Sequence, residues 1–219
     1  MKLTKKLLVT IGLSVTMILG NIIPAVAADG NSNIPKILAH DSKIVTINEK
    51  KLEINKIPEL KVGKENAVEL KEGDVYKEYI DGKILLHVVS VKPIIKTGYN
   101  IQDTQYGVSY TVNDYYQFTY MGTAELDTNW YTSGGNVTNI TNYGWGSCPS
   151  YQWPDYWTND GSSAYIVPGS PTQAISWANL TDHYSFLGYS VYHRTYHLQT
   201  NVNGNGGYSN SYYIYSEGY

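Results

Sequence analysis

The sequence has a single cysteine, Cys148, among its 219 residues. One thiol cannot form an internal disulfide, so packing, ions or assembly have to stabilise the fold. Positive charge is also scarce in the second half of the chain, where Arg194 is the only lysine or arginine after Lys96. A nucleic-acid-binding domain needs clustered cations to neutralise phosphates, so this distribution argues against nucleic acid as a partner. It equally argues against electrostatic docking of this half on anionic lipid.

Phenylalanine is scarce as well, with two residues, whereas the chain has 22 tyrosines and five tryptophans. Twenty of the tyrosines follow Lys96, and fifteen of the sixteen lysines and arginines lie at or before it. The composition therefore divides the chain into a lysine- and glutamate-rich first part and an acidic, tyrosine-rich second part. Tyrosine and tryptophan have to supply much of the core volume of the second part, because other large apolar residues are sparse there.

The first 27 residues have the pattern of a cleavable secretory signal peptide. Three lysines lie within the first six residues, an apolar stretch covers residues 7–23, and Ala25-Val26-Ala27 offers a small-x-small cleavage site. An uncleaved membrane anchor is the alternative, because the apolar stretch is about long enough to span a bilayer. Gly20 and Pro24 disfavour that alternative. We expect cleavage before Ala28, and hence a secreted, extracellular protein with no membrane span after cleavage.

Residues 28–97 are predicted to form a small Lys/Glu-rich β-region or a removable pro-segment. Their clearest element is a hairpin in which Asp81-Gly82 joins two apolar runs, because a two-residue type I′ turn needs positive φ at both central positions. Pro93 and Gly98 indicate a junction with the region that follows.

Residues 98–219 are predicted to form an all-β domain, an antiparallel β-sandwich of jelly-roll-like type. Short apolar and aromatic runs alternate with clusters of Gly, Pro, Asn and Ser, which is typical of sandwiches and barrels. Asp114 to Leu126 alternates between aromatic and polar residues and predicts one strand. Asn203 to Gly207 is expected to be the tip of the last hairpin. Little helix is expected, because no segment has a long helical period.

The densest aromatic segment, Tyr143 to Trp157, contains three tryptophans and three tyrosines. Glycine and proline interrupt it, which favours a loop, and loops on a rigid scaffold often carry recognition. A flat ring of this kind suits the C–H face of a sugar, whose hydroxyls can bond to Asn and Asp side chains. In the alternative interpretation the rings fold back as a lid over the β-core. The candidate ligand-binding residues are Trp145, Tyr151, Trp153, Tyr156 and Trp157.

Histidines in the second part suggest a metal site at first sight. His193 and His197 have the i, i+4 spacing used by zinc ligands on helices. The surrounding residues favour a strand, on which four residues cover roughly 13 Å, too far for both rings to bind one ion. A chelate by His193 and His197 therefore requires a bend, and the alternative is two histidines on one exposed strand face near Arg194. The sequence does not place His183 beside either of them. We expect no metal and no cofactor.

Two other groups are candidates for chemistry. Glu125 and Asp127 would share one face of a strand about 6.6 Å apart, near the separations found in glycosidases with paired carboxylates. The composition is similar to that of small β-jelly-roll xylanases, although the glutamate-bearing strand motifs of that family are absent from this sequence. Glu217 is the only other glutamate after residue 98. Nothing in the sequence places a histidine beside Cys148, which favours an inert thiol.

These features predict a secreted, non-catalytic binding protein that recognises cell-wall or extracellular polysaccharide through aromatic residues. Its partner would be a polysaccharide or another cell-surface ligand. A secreted bacteriocin-like protein or toxin, with residues 28–97 as a pro-segment, is one alternative. A small glycoside hydrolase that uses Glu125 or Glu217 is another.

Overall fold

The computed structural model describes residues 35, 37–39, 43–80, 82–96, 104–149, 155–186 and 189–218. These residues are nearly all β, and their only helical elements are two short 3-10 turns, Ile54–Lys56 and Lys64–Asn66. The strands are β1 (Ile37–Ala39), β2 (Ile44–Ile47), β3 (Lys50–Glu53), β4 (Val68–Leu70), β5 (Val75–Ile80), β6 (Lys83–Lys96), β7 (Thr104–Tyr116), β8 (Thr119–Ser133), β9 (Asn136–Ser147), β10 (Tyr156–Ile166), β11 (Gln173–Phe186), β12 (Tyr189–Asn203) and β13 (Tyr208–Gly218).

Two five-stranded antiparallel sheets pack face to face. The first sheet has the order β5-β6-β7-β8-β9, and the second has the order β10-β11-β12-β13-β4. A small third sheet, β1-β2-β3, packs Val45 and Ile47 against Leu86 and Val88 of β6, so it covers one end of the first sheet's outer side. The prediction of an all-β antiparallel sandwich is therefore confirmed.

Alternate residues of both sheets fill the space between them, as the period of a strand requires. Leu126 and Tyr110 of the first sheet pack with Leu180 and Leu198 of the second. A second cluster, built around Trp130, fills another part of the same interior. Trp130 and Tyr110 are 1% and 0% exposed, so aromatic residues do supply much of the core volume.

The segment 58–70 links the two sheets along one side of the sandwich. Leu60 donates its backbone N–H to the Lys77 carbonyl of β5 at 2.8 Å. A few residues later, Gly63 donates to the Ile214 carbonyl of β13 at 3.0 Å, and β4 then pairs with β13. This segment therefore covers two strand edges that would otherwise offer unpaired backbone groups.

On the opposite side, asparagine side chains join β9 to the second sheet. The Asn142 amide donates to the carbonyls of Ser163 and Trp177, both at 2.9 Å, and the Asn159 amide donates to the Gly144 carbonyl at 2.8 Å. These bonds join backbone carbonyls of β9, β10 and β11 to side chains of the facing sheet, at a place where the two sheets come close together.

The hairpin turns follow the expected chemistry with one exception. Ile80 pairs with Lys83 and Gly82 has a φ of 72°, so the predicted hairpin between β5 and β6 is confirmed, as is the tip between β12 and β13. The prediction of a single strand over 114–126 is wrong. Gln117 and Phe118 have φ of 46° and 69° and form a two-residue turn between β7 and β8. Neither residue is of a type that favours positive φ, so the sequence conceals this turn.

The lysine-rich part of the chain contributes to both sheets of the sandwich. β4, β5 and β6 come from residues 68–96 and pair with later strands. Pro93, which was expected at a junction, lies inside β6 opposite Val108. β5 pairs with β6 only as far as Val88, and Gly73 and Asp74 bond to Val89, so at Pro93 β7 is the one described strand beside β6. Proline is tolerated there because an edge strand leaves backbone groups unpaired anyway.

Candidate functional site

The outer side of the second sheet carries a group of flat side chains. Buried and partly exposed residues alternate along its strands, so that Ala178 points to the core while Trp177 points outward. We call this surface the ring face, and its members are Tyr156, Trp177, His183, His193, His197 and Tyr213. Tyr156 is exposed and Tyr213 is buried at 7% exposure, whereas the other four are half-buried. The antiparallel register, and not closeness in the sequence, brings these rings together.

Three rings at one end of the ring face form a continuous stack. Tyr156 pairs with His183, and His183 pairs with His193, across three neighbouring strands. The rings of Tyr156 and His183 are 4.4 Å apart and nearly parallel, at 9°. The rings of His183 and His193 are 6.1 Å apart at 28°. Thr158 holds the central imidazole, because its hydroxyl lies 3.0 Å from His183 Nε2.

A second stack lies further along the same surface, centred on His197. Its ring lies 4.7 Å from the Tyr213 ring and 5.7 Å from the Trp177 ring, both at shallow angles. His197 Nδ1 lies 2.8 Å from Asn179 Oδ1, which fixes the orientation of the imidazole. From Trp177 to His183 the ring face extends about 20 Å along β11, from the rise of six strand residues.

Few charges border the ring face. Asp160 accepts a hydrogen bond from Thr158 beside the first stack, and Lys64 lies near His197. Burial lowers the pKa of His183, although Asp160 opposes the shift. Burial also lowers the pKa of His197, and Lys64 lowers it further. Both shifts favour neutral imidazoles at neutral pH, so the surface there is polar and uncharged over most of its area.

A shallow groove continues the same side of the sheet beyond Trp177. It has a volume of about 460 Å³ and is formed near the β12–β13 hairpin. Its walls combine amide, hydroxyl and apolar groups, supplied by Gln173, Ile175, Asn201, Asn203, Tyr208 and Ser209. The outer side of this sheet therefore offers a long polar surface and not a deep pocket.

The five residues predicted to bind ligand do not form one patch. Tyr156 is 48% exposed and belongs to the ring face. Trp145 lies on the outer side of the first sheet, where it pairs with Glu125. Tyr151 and Trp153 lie outside the described residues. The signal-peptide prediction for residues 1–27 also falls outside them.

Trp157 points between the two sheets and packs against the core. A Cβ added to Gly146 would lie 2.5 Å from the indole, and one added to Gly122 would lie 2.9 Å from its Nε1. The two glycines thus form a notch that admits the ring. Trp157 thus folds back onto the core, as the alternative interpretation of the aromatic segment predicted.

The histidines share a surface without forming a chelate. His193 and His197 both lie on β12, as the strand interpretation required, and roughly 13 Å of strand separates their positions. His183 joins His193 by register, whereas His197 belongs to the second stack. No group of three or more His, Cys, Asp or Glu side chains among the described residues could hold a metal ion.

Glu125 and Asp127 share the outer side of β8, as predicted. Ser109 donates its hydroxyl to Glu125 Oε1 at 2.8 Å. Burial raises the pKa of Glu125, and the adjacent Asp127 raises it further. Trp145 and Tyr143 lie opposite these two carboxyls on β9, so the first sheet has an acidic outer patch of its own.

A buried ionisable trio that the sequence patterns did not predict lies between the sheets. His87 is 0% exposed; its Nδ1 lies 2.7 Å from Asp114 Oδ1 and its Nε2 lies 2.7 Å from Glu78 Oε1. A neutral imidazole donates only one N–H, so the arrangement needs either an imidazolium or a protonated carboxyl. In both cases the trio carries one net negative charge. The available signal was a histidine inside the apolar run 84–89.

Arg194 supplies the charge that balances this trio. It forms ion pairs with Glu78 and with the more exposed Glu217. Tyr196 also donates its hydroxyl to Glu78 Oε1 at 2.8 Å. Because Glu78 comes from the first sheet and Arg194 from the second, these contacts tie the two sheets together through charged groups.

Two further groups lie near the trio. Burial raises the pKa of Asp182 well above its usual range, and the neighbouring Asp114 adds to the shift. Burial, followed by Asp182 and Asp155, raises the pKa of the Cys148 thiol to about 12. The thiol is free, and such a shift favours its protonated form over the thiolate.

The described residues contain no helix that is long and apolar enough to cross a membrane. A scan against protein-family models, a search of curated proteins and a search of solved structures each find no match to this chain.

Proposed function

We propose that this protein is a secreted, non-catalytic binding protein whose ring face takes an extended, uncharged polysaccharide of a cell wall or extracellular matrix. The observation that carries the proposal is the pair of ring stacks on one outer side of the second sheet. These stacks place flat rings on neighbouring strands over about 20 Å. A polymer of linked rings matches that shape better than a compact ligand does.

The chemistry of the ring face supports an uncharged partner. Aromatic rings bury much area with few rotatable bonds, and their polar edges still hydrogen-bond. Asn179 and Gln199 lie among the rings and offer amide groups that suit hydroxyls. The fixed charges identified beside the stacks are one carboxylate, Asp160 at the first stack, and one ammonium, Lys64 near the second. Trp157 is held in the notch between the sheets and is therefore not part of the proposed site. Of the five residues predicted from the sequence, the site contains Tyr156. It also contains Trp177 and the three histidines, which were not among those five.

Depletion of the full chain by insoluble peptidoglycan, chitin and cellulose tests the proposal. We expect at least one polymer to remove the protein from solution at pH 7.5. Trp177→Ala should weaken that binding about tenfold or more, equivalent to about 1.4 kcal/mol. Tyr143→Ala is the matched control, since this ring is 65% exposed on the other sheet, and it should bind as the unchanged chain does.

Two results would contradict the proposal. The first is that none of the three polymers depletes the protein. The second is that binding occurs but Trp177→Ala leaves it unchanged. In that case Trp145→Ala shows whether the outer side of the first sheet is the binding surface instead.

The toxin-like alternative requires that residues 28–97 be removed after export. Their loss would take away β4, β5 and β6, and with them Glu78 and His87 of the buried trio. Arg194 would then lose one of its two carboxylate partners. This cost counts against processing near Thr97. Mass spectrometry of the mature N-terminus tests it, with an N-terminus at Ala28 as our expected result.

A further inference from the structure

Histidines supply half of the rings of the ring face, and this makes its charge depend on pH. Histidine is the side chain whose ordinary titration falls between pH 5 and 8. His183 lies in the middle of one stack, between Tyr156 and His193, and His197 lies in the middle of the other. Protonation at either position therefore changes the centre of a stack and not its rim.

The groups around these histidines provide little counter-charge. Asp160 and Tyr156 of β10 face His183 on one side, and His193 of β12 faces it on the other. His193 packs against Gly218 of β13, which offers no side chain.

The surroundings of the third histidine are similar. His197 faces Tyr213 of β13, Trp177 and Asn179 of β11, and Lys64 from the second 3-10 turn. Among all these neighbours Asp160 is the single carboxylate, and Lys64 adds a positive charge.

We propose that protonation of the ring-face histidines releases the bound polysaccharide, so that the protein binds at neutral pH and dissociates as the pH falls toward about 5. This inference rests on the proposed function of the ring face. It adds a means of regulation that uses the same side chains as binding.

Two physical effects cause the release. A neutral imidazole offers a flat aromatic surface, whereas an imidazolium is strongly hydrated, and covering it with an uncharged sugar removes its water without providing a counter-ion. In addition, His183 and His193 would carry like charges 6.1 Å apart. If the polysaccharide binds only while one particular histidine is neutral, affinity falls by up to about tenfold for each pH unit below the pKa of that residue.

The test compares the unchanged chain with a variant that keeps the rings but cannot titrate. In His183→Phe/His193→Phe, both positions remain flat and aromatic. Depletion by chitin, cellulose and peptidoglycan is measured between pH 7.5 and 5.0, and far-UV circular dichroism checks the fold at each pH. We expect the Kd of the unchanged chain to rise about tenfold or more over this range. The Kd of the double variant, in which His197 is the one ring-face histidine that can still be protonated, should rise by a clearly smaller factor.

The outcomes separate this inference from the proposed function. Binding at pH 7.5 that persists at pH 5.0 overturns the inference alone, and so does an equal pH dependence in both proteins. Absence of binding at every pH overturns the proposed function and the inference with it. If the double variant does not fold, histidine NMR titration of the unchanged chain replaces it. Soluble chitin and cellulose oligosaccharides should lower the titration midpoints of His183 and His193, and unchanged midpoints on binding would contradict release by protonation.

Discussion

Replacement of His87 by leucine tests the role of the buried trio. The side chain is 0% exposed and lies 2.7 Å from a carboxylate oxygen at each ring nitrogen. Leucine fills much of the volume but leaves Asp114 without this partner, and its Oδ2 already has no hydrogen bond among the described residues. Removal of one member of a buried ion pair costs about 3–5 kcal/mol. Glu78 keeps Arg194 and Tyr196, so the loss should arise mainly at Asp114.

The predicted loss is a large share of the total stability, which is about 5–15 kcal/mol for a typical domain. Urea unfolding followed by tryptophan fluorescence measures it, with the m-value checked for two-state behaviour. His193→Gln is the control, because that ring lies on the outer side, and it should change stability by no more than about 0.5 kcal/mol.

A second substitution distinguishes charge from packing. Asp114→Asn in the His87→Leu background removes the unpaired charge and should restore about 1 kcal/mol or more, since a buried amide costs less than a buried carboxylate. A loss below about 1 kcal/mol for His87→Leu would refute the reasoning. So would a double variant that is no more stable than His87→Leu itself.

Three further predictions concern the same interior. The pKa of Asp182 is raised in the folded state, so its contribution to stability is full below about pH 4 and is lost as the pH rises through the folded value; Asp182→Asn should therefore flatten the fall in urea midpoint as the pH rises above about 4. Gly146→Ala should cost about 1–3 kcal/mol in urea unfolding, because its Cβ would meet Trp157 at 2.5 Å. Iodoacetamide should label Cys148 about a thousandfold more slowly in the folded than in the urea-unfolded protein at pH 8, given its pKa of about 12. An equal pH dependence of the urea midpoint in Asp182→Asn and the unchanged chain would contradict the first prediction. Unchanged stability of Gly146→Ala would contradict the second, and equal labelling rates of folded and unfolded Cys148 would contradict the third.

Local patterns predicted the β-class and several turns because strand period and turn chemistry are properties of neighbouring residues. Asp81-Gly82 and the 203–207 tip have the glycines that such turns favour. The turn at Gln117-Phe118 has none, and its flanking residues continue the alternation of the strands, so two strands appeared as one. Strand lengths were underestimated for a related reason. β11 is interrupted by polar residues, of which Asn179 and Thr181 lie on the outer side and Ser176 is buried beside Thr128, and these resemble loop residues in a sequence.

The ring face depends on the register between strands, and the local pattern of residues in a sequence does not reveal that register. His183 lies ten residues from His193 in the chain, yet the two pair directly across a hairpin. Trp145, Tyr156 and Trp157 are close in sequence but point to three different places, because β9 and β10 belong to different sheets. A segment that is rich in aromatic residues therefore did not predict where aromatic residues cluster in the folded protein.

The buried trio was concealed by the division of the chain at Lys96. The change in composition there is real, but β6 continues to Lys96 and pairs with β7 beyond it. Glu78 and His87 looked like part of a solvated Lys/Glu-rich region, whereas they face the core beside Asp114. Strand pairing between parts of different composition brings these charges together.

Histidine NMR gives the most direct test of the central claim that the ring face binds polysaccharide. The chain has five histidines, and His87 is an internal control because it is fully buried. On titration with soluble peptidoglycan, chitin and cellulose fragments at pH 7.5, we predict that the imidazole signals of His183, His193 and His197 shift with one of these ligands while that of His87 does not. Unchanged signals from all three ring-face histidines with every fragment would contradict the account.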